Sequence, residues 1–395
     1  MRIALLIIGG DAQAAGSALL GKSVARRQLE FALAAGCDAA IVLGDGGGAE
    51  AIRLRHQAEA GGMKFRTMGN THNLLGAVGT GDELLIIAPR LIPANGDALR
   101  LVGESRAILS VPADPGIALG FERIDSARAW AGVALLPGRL VEGLAQLPRD
   151  CDAAAALLRI ALQAHLPAHA LPPPALTDGS WIMARAADRP AIEALLLDRG
   201  LPRPPRTRLS AWLATSLMRR IAPMLLGRRF SGLALTGGTI ALALGAAVCG
   251  LYGLAAPSLL LVALCAFMAE LAIAFERVSA PALAATAGAE RGTWLRWLAD
   301  AALLACATLA IHGAADGAWH RAIFPPLVLL GALHATMLER RGDIAALLGD
   351  RALLALILAA AALAGVAEQA VMAAALAIVL LWAITARRGD GITRP

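Results

Sequence analysis

The sequence has few lysines, few aromatic residues and few charged residues of either sign. Lys22 and Lys64 are its only lysines, and tyrosine occurs once. Charged residues make up 17% of the 395 residues, whereas hydrophobic residues make up 57%. A soluble protein of this length needs more polar groups to cover its surface, so a wholly soluble protein is excluded. Most of the charge lies before residue 230, and we therefore expect a soluble domain first and a membrane domain second.

The cysteines are too scattered for a disulfide framework or a metal site. None of the five stands in a CxxC spacing, and three lie inside apolar runs, where a small hydrophobic residue is the simpler interpretation. They are Cys37, Cys151, Cys249, Cys265 and Cys306.

Six apolar segments after residue 230 are close to the roughly 20 residues that a helix needs to cross a membrane. They lack the polar stripe of a helix in a soluble bundle. The sequence therefore predicts an all-α six-helix transmembrane domain over 230–395, with Pro257 between the first two spans. The segments are 231–252, 257–275, 296–314, 322–338, 351–367 and 369–386.

Arginines cluster on alternate sides of the predicted spans, with Arg321 as the exception. Arg228 and Arg229 precede the first span, and other arginines follow the second, fourth and sixth. Positively charged loops stay in the cytoplasm. We predict a multi-pass protein of the inner (plasma) membrane with cytoplasmic N- and C-termini. The basic cluster before the first span favours membrane lipid over nucleic acid as a partner.

The linker 201–229 contains an amphipathic segment from Thr207 to Leu226, in which bulky apolar residues recur at helical spacing. This pattern is typical of a helix that lies in the plane of the membrane interface. A linker helix packed on the soluble domain is the alternative. Pro223 is expected to kink or end the helix.

Residues 1–200 alternate between strand-like and helix-like patterns, which predicts an α/β domain with a mostly parallel sheet. The proline-rich stretch 165–179 is predicted to be a loop or hinge. A helix is predicted at Val24–Ala35. Buried strands are predicted at Arg2–Ile8, Ala39–Leu43, Glu83–Ile87 and Ile108–Val111.

A glycine-rich loop follows the first strand and begins with Gly9 and Gly10. Ligands of parallel sheets bind outside the carboxyl ends of the strands, so this loop is a candidate phosphate site. It has neither the GxxxxGK[ST] nor the GxGxxG spacing, and Asp11 would oppose an anion.

Ionisable residues inside predicted spans are candidates for function because burying a charge in a membrane is costly. Glu270, Asp300 and His334 qualify. For Asp300 a functional role and a packing role both stay open, whereas His334 is expected to be a packed, hydrogen-bonded histidine.

The layout resembles fusion proteins that join a sugar-nucleotide-type nucleotidyltransferase domain to a CDP-alcohol phosphatidyltransferase membrane domain. The known type is bifunctional inositol-1-phosphate cytidylyltransferase and di-inositol-phosphate phosphate synthase. The segment GKSVARRQLEFALAAGCDAAIVL is similar to the first family's lysine segment, helix and second strand, with Lys22 at the lysine. That family's AAGxGxR reads IIGGDAQ here, and Pro89 and Arg90 occupy the place of its metal-binding aspartate.

The second family carries DxxDGxxAR followed by GxxxDxxxD, and its spacing falls here on Gly292, Arg296 and Asp300. Three of the four aspartates that hold Mg²⁺ in the family are absent, so we predict no metal site. The resemblance implies that Asp300 is the catalytic base.

Arginine at two positions of metal carboxylates suggests anion binding through guanidinium groups. Substrate or anion binding is therefore predicted at Arg277, Gly292, Arg296, Lys22, Gly9, Gly10 and Arg90.

Two functions stay open from the sequence. One is a membrane-bound transferase-family protein of phospholipid or phospho-alcohol head-group synthesis, with membrane lipid and a CDP-linked or phosphorylated small alcohol as partners. The other is a non-catalytic pseudoenzyme that acts as a scaffold or regulator. A transporter is disfavoured, because broken pairs of spans are lacking. The resemblance also implies a homodimer through the membrane domain.

Overall fold

The computed structural model describes residues 1–9, 18–149, 151–226, 231–280, 287–314, 319–339, 347 and 349–387. The chain divides into two compact units. We call Met1–Gly200 the N-terminal unit, and Leu201–Ala280 with Thr286–Pro395 the helical unit.

The N-terminal unit is built from strands and helices that alternate along its first half. Its strands are β1 (Arg2–Ile7), β2 (Ala39–Leu43), β3 (Lys64–Met68), β4 (Glu83–Ile87), β5 (Leu91–Pro93), β6 (Ile108–Pro112), β7 (Glu122–Arg123), β8 (Arg128–Pro137), β9 (Ala168–Ala170) and β10 (Trp181–Met183). Its α-helices are α1 (Val24–Ala34), α2 (Ala49–Ala60), α3 (Gly96–Glu104), α4 (Ala113–Leu119), α5 (Ala153–Gln163), α6 (Pro174–Thr177) and α7 (Arg189–Gly200). Shorter 3-10 helices cover Thr71–Gly76, Gly138–Gln146 and Ala186–Asp188.

The main sheet has eight strands in the order β3-β2-β1-β4-β8-β6-β9, with β7 paired to β8. β1, β2, β3 and β4 run parallel, as does the pair β6 and β9, whereas β8 is antiparallel to its neighbours. The predicted fold class, an α/β unit with a mostly parallel sheet, is confirmed. The four strands predicted from the sequence are all present within a residue of the predicted ends.

The core of this unit lies on both faces of the sheet, because its central strands are buried along most of their length. All five residues of β2 are buried, and α1 covers one face with Leu29, Phe31 and Ala32. Phe31 packs edge-on against Trp181 at a centroid distance of 5.8 Å. Runs without polar alternation are what a strand covered on both faces requires.

The prediction of a loop or hinge at 165–179 was incomplete. Ala168–Ala170 pairs with β6 and extends the sheet by one strand, and α6 follows at Pro174–Thr177. Proline lacks an N–H group, but it is tolerated in the first turn of a helix, where that group has no partner.

The helical unit consists of α8 (Leu209–Leu225), α9 (Ser231–Leu251), α10 (Ala255–Ser279), α11 (Ala287–Ala314), α12 (Trp319–Glu339), α13 (Arg351–Leu363) and α14 (Ala367–Arg387). The central helix is α10, which packs against α8, α9, α11 and α13. Each predicted span thus coincides with a helix of the structure.

Among the described residues, three helices are long and apolar enough to cross a membrane: Ser231–Leu251, Ala255–Ser279 and Gly292–Gly313. α13 and the described part of α14 are apolar but shorter, so the count of six spans stays a prediction. The turn between the first two spans was placed wrongly. The chain turns at Gly253, whose φ is +73°, and Pro257 lies in the first turn of α10, where its missing N–H is not needed.

α8 has two apolar faces. Small residues and a methionine face the helical bundle, whereas Leu209, Leu213 and Leu217 are exposed. Pro223 lies inside the helix, which ends two residues later at Leu225. Leu213 and Leu217 belong to the apolar face that the sequence predicts, and the position of this helix in the membrane interface stays a prediction. The buried face consists of Ala211, Ala214, Thr215, Met218 and Ala222.

Candidate functional site

A cavity of about 270 Å³ in the helical unit contains most of this unit's buried charge. We call it the charged cavity. Side chains of α10, α11, α12 and α13 line it together with the start of α8. They are Arg208, Ser210, Ala266, Ala269, Glu270, Thr293, Arg296, Trp297, Ala299, Asp300, His334, Gly349, Asp350 and Arg351.

Asp300 lies on α11 and is held by Arg351 at the first position of α13. Arg351 Nε donates to Asp300 Oδ1 at 2.8 Å, and a terminal nitrogen donates to Oδ2 at 3.3 Å. The side chain of Asp300 is only 5% exposed. The other terminal nitrogen of Arg351 donates to the carbonyl of Gly349 at 2.9 Å. This two-pronged geometry is the strong form of a guanidinium–carboxylate bond.

His334 approaches the same carboxylate from α12. Its Nε2 lies 3.5 Å from Asp300 Oδ2, and its Nδ1 lies 3.0 Å from the carbonyl oxygen of Leu330. A carbonyl only accepts hydrogen bonds, so Nδ1 carries a proton. The ring stacks on Trp297 at a centroid distance of 4.9 Å. The prediction of a packed, hydrogen-bonded histidine omitted its proximity to Asp300.

Arg296 lies one helical turn before Asp300 and donates from Nε to Glu270 Oε1 at 3.2 Å. Residues four apart share one face of a helix, which is why both side chains reach the cavity. Arg277, on α10, experiences the charges of Arg296, Glu270 and Arg208. The guanidinium groups of Arg208, Arg277 and Arg296 are therefore near one another.

Asp350 joins the two helices that begin at the charged cavity. It caps α13 by accepting a hydrogen bond from the N–H of Leu353 at 3.2 Å, and it accepts another from the N–H of Ser210 at 2.6 Å. Ser210 is in the first turn of α8, where N–H groups have no partner within the helix. One carboxylate thus fixes the start of α8 and, with it, the position of Arg208.

An apolar pocket of about 390 Å³ adjoins the charged cavity and shares Ser210 and Asp350 with it. α8, α10 and α13 form its walls. Its other lining residues are Leu209, Leu213, Leu260, Ala263, Leu264, Phe267, Ala352, Leu353 and Leu356.

Two cavities of the N-terminal unit lie at the carboxyl end of β1. Gly9, whose φ of +113° suits only glycine, lines both. The first, of about 260 Å³, also has Ser23 and Glu50, which are hydrogen-bonded to each other. The second, of about 410 Å³, has Arg90 and Asp152 in its wall. Gly10 lies outside the described residues.

Lys22 lines neither cavity. Its Nζ lies 3.0 Å from Glu30 Oε1, and each side chain is 8% exposed. Burial lowers the pKa of Lys22, and the carboxylate of Glu30 acts in the opposite direction. The structure therefore gives Lys22, a predicted anion-binding residue, a carboxylate as its neighbour.

Gly292 is buried and faces Ile273 of α10, whose side chain a Cβ at that position would meet at 3.5 Å. It brings α10 and α11 close together. Of the predicted residues in the helical unit, the structure thus brings Asp300 and Arg296 into the cavity wall, with Arg277 nearby and Gly292 at a helix contact.

Sequence reasoning used Arg351 only for orientation and did not consider Asp350 as a site residue. The signal that could have identified them is a charged pair directly before an apolar run. An aspartate there is a helix cap, and the arginine after it begins the helix.

The residues around Asp300 do not fit a divalent ion. Both of its oxygens accept hydrogen bonds from Arg351, and the residue one helical turn earlier is the cationic Arg296. Within the described residues, no group of three or more histidine, cysteine, aspartate or glutamate side chains could hold a metal.

No family model matches the chain, and no curated protein matches it. Among solved structures it is similar to a protein described as a glucose-1-phosphate thymidylyltransferase from Bacillus anthracis. The identity is 9% and the TM-score 0.35, over 44% of this chain and 87% of that one. It is also similar to a UDP-glucose pyrophosphorylase from Acinetobacter baumanii, at 12% identity and a TM-score of 0.35, over 55% of this chain and 99% of that one. At these values neither likeness assigns a function to the chain.

Proposed function

We propose that this chain is a membrane-bound transferase-type protein of phospholipid or phospho-alcohol head-group synthesis. Its helical unit would bind a phosphorylated lipid, with the phosphate in the charged cavity and an acyl chain in the apolar pocket. The nucleotidyltransferase-like origin of the N-terminal unit and the CDP-alcohol phosphatidyltransferase-like origin of the helical unit belong to the same proposal.

One observation carries this proposal: the charged cavity and the apolar pocket adjoin at Ser210 and Asp350. Three arginines line the first, and leucines with Phe267 dominate the second. Guanidinium groups match the oxygens of a phosphate, whereas a cavity walled by leucines favours a hydrocarbon chain. A ligand that fills both must be charged at one end and apolar at the other.

The membrane topology is proposed on the same basis. In the part of the chain that the structure describes, three helices have the length and apolar character to cross a membrane. The arginines on alternate sides of the spans favour cytoplasmic termini. We propose a multi-pass protein of the inner (plasma) membrane that forms a homodimer through its helical unit.

The test is direct binding of three probes to the purified full-length protein in detergent micelles. The probes are radiolabelled phosphatidic acid, glycerol 3-phosphate and dodecane. We expect saturable binding of phosphatidic acid, with glycerol 3-phosphate at least tenfold weaker because it lacks the acyl chains. No saturable binding of phosphatidic acid would contradict the proposal.

Two variants distinguish binding of the phosphate group from binding of the acyl chain. Arg296→Gln removes a guanidinium from the charged cavity and should weaken both phosphate probes. Leu213→Trp fills the apolar pocket and should weaken phosphatidic acid while leaving glycerol 3-phosphate unchanged. Leu233→Trp is the matched control, because Leu233 is 72% exposed on α9 and does not line the pocket.

A second candidate, a non-catalytic scaffold or regulator, is favoured by the engagement of Asp300. A base must accept a proton from a hydroxyl group within hydrogen-bond reach, and both oxygens of Asp300 are already bonded to Arg351. A substrate hydroxyl would have to displace this guanidinium.

Lipid profiling of a deletion strain decides between the two candidates. If the protein is an enzyme that uses Asp300, complementation with wild type restores the missing lipid and Asp300→Asn does not. If Asp300→Asn restores the same lipid, Asp300 is not a catalytic base and the second candidate gains support. Protein abundance in the membrane fraction must be equal for both variants.

A further inference from the structure

We propose that Arg351 serves as a built-in cation of the charged cavity, so that this site binds a phosphate group without a divalent ion. The guanidinium takes the position beside Asp300 that a metal ion would need. This inference rests on the proposed binding of a phosphorylated ligand and specifies how the charge of that ligand is recognised.

Asp300 has no free oxygen for a metal. A divalent ion such as Mg²⁺ needs carboxylate oxygens within roughly 2.0–2.6 Å, and each oxygen of Asp300 instead faces a nitrogen of Arg351 at 2.8 or 3.3 Å. The third bond of this guanidinium, to Gly349, fixes its orientation. Arginine keeps its proton in proteins, so this cation is permanent and needs no supply of metal.

The other two carboxylates of the cavity are also engaged. Glu270 pairs with Arg296 at 3.2 Å. Asp350 accepts hydrogen bonds from the N–H groups of Ser210 and Leu353, at the starts of two helices. A helix start carries partial positive charge, which offsets the charge of a carboxylate there. The described carboxylates of this cavity are thus balanced by groups of the chain itself.

The arginines are not all balanced in the same way. Arg208 and Arg296 line the cavity with Arg351, and Arg277 is near enough to experience the charges of both Arg208 and Arg296. Three guanidinium groups and the three carboxylates Glu270, Asp300 and Asp350 thus line the cavity, and Arg277, which also experiences the charge of Glu270, adds a further guanidinium nearby. Among the described residues, no carboxylate forms an ion pair with Arg208 or Arg277. Like charges this close repel one another, and an anion between them would relieve the repulsion.

The chemistry of the ligand follows from these charges. Planar guanidinium groups bind phosphate oxygens through pairs of parallel hydrogen bonds. A phosphate monoester or diester supplies such oxygens, whereas a neutral sugar or alcohol does not.

The test compares binding of radiolabelled phosphatidic acid by the full-length protein in detergent micelles, in EDTA and in millimolar Mg²⁺. For the wild type we expect affinities within twofold of each other. For Arg351→Gln we expect binding at least tenfold weaker in EDTA and partial recovery in Mg²⁺ or Mn²⁺, because Asp300 is then free to bind a metal. Arg321→Gln is the matched control, since Arg321 is exposed on α12 and does not line the cavity.

Two results would overturn this inference while leaving the proposed function intact. One is a wild type whose binding falls tenfold or more in EDTA. The other is Arg351→Gln that binds as tightly as wild type in EDTA. Absence of phosphatidic acid binding by the wild type in both buffers would overturn both proposals.

Because Arg351→Gln leaves Asp300 buried without its guanidinium partner, a second variant guards against a failure to fold. The double variant Asp300→Asn/Arg351→Gln replaces both charged side chains by neutral amides. It should bind weakly in EDTA and, unlike the single variant, show no recovery in Mg²⁺. Recovery of the double variant in Mg²⁺ would mean that the metal acts elsewhere, and this would also overturn the inference.

Discussion

Each unit of this protein contains a buried ion pair, and the two pairs differ in their surroundings. In the N-terminal unit, Lys22 and Glu30 lie 3.0 Å apart, and Lys22 lines neither cavity at the end of β1. In the helical unit, Asp300 and Arg351 lie 2.8 Å apart in the wall of a cavity that contains further arginines. The depth of burial is similar. The difference is that the second pair lines a cavity, whereas Lys22 lines neither of the two cavities at the end of β1.

The comparison also explains why the two pairs would respond differently to replacement by apolar residues. A buried ion pair loses much of its attraction to the cost of removing both charges from water, and apolar residues of similar volume are often as stable. That holds for a pair whose only role is packing. A pair that binds a ligand cannot be replaced without losing the ligand.

The largest expected effect is on the stability of the N-terminal unit. Lys22→Met leaves Glu30 buried, with Arg26 at 3.6 Å and Arg27 near enough to interact with its charge. We expect a loss of about 3 kcal/mol, the lower end of the cost of breaking a buried pair, because Arg26 compensates in part. The measurement is hydrogen exchange of the amides in β1 and α1, which should quicken on the order of 100-fold.

The double replacements sharpen this comparison. Lys22→Met/Glu30→Leu should recover most of the lost protection, because no charge is left buried. Asp300→Leu/Arg351→Leu should likewise leave the helical unit folded but weaken phosphatidic acid binding by about tenfold or more, as expected for the loss of one charged contact. Equal binding by this second double variant and the wild type would remove the distinction between the two pairs.

The fold of the N-terminal unit could be predicted in part, because some of its strands are recognisable from their own residues alone. β1, β2, β4 and β6 are short apolar runs bounded by turns, and such runs indicate strands whatever the rest of the chain does. β8 was missed because its ten residues, RAWAGVALLP, mix alanine and glycine in a pattern that fits a helix as well as a strand. Gly132 within it has a φ of +84°, and a Cβ at this position would meet Ala88 and Leu91. The need for glycine there comes from residues distant in the sequence and could not be recognised from the strand alone.

In the candidate site, too, some residues could be found from the sequence and others could not. Asp300 and Arg296 could be found from the sequence, because charged residues in apolar helices are few and conspicuous. Their partners could not. Arg351 lies 51 positions after Asp300, and the rotation of α11 and α13 about their axes decides whether the two side chains meet. Lys22 shows the same limit, since its match to the lysine of a family segment predicts an anion site, whereas its pairing with Glu30 could not be read from the sequence.

The smallest expected effect concerns pH and tests the nature of the Lys22 pair. Burial lowers the pKa of Lys22 from the ordinary 10.5, so in alkaline solution the unfolded chain holds this proton longer than the folded one. In the window between the two pKa values the unfolded state binds more protons, and stability from this group therefore rises with pH. The contribution is complete above about pH 10.5 and is lost as the pH falls through the lower folded pKa.

Hydrogen exchange in β1, corrected for the intrinsic pH dependence of exchange, should show this rise in the wild type. The double variant Lys22→Met/Glu30→Leu has no titrating amine there and should lack it. An equal rise in both proteins would assign the effect to another group and show that the amine of Lys22 titrates alike in the folded and unfolded chain.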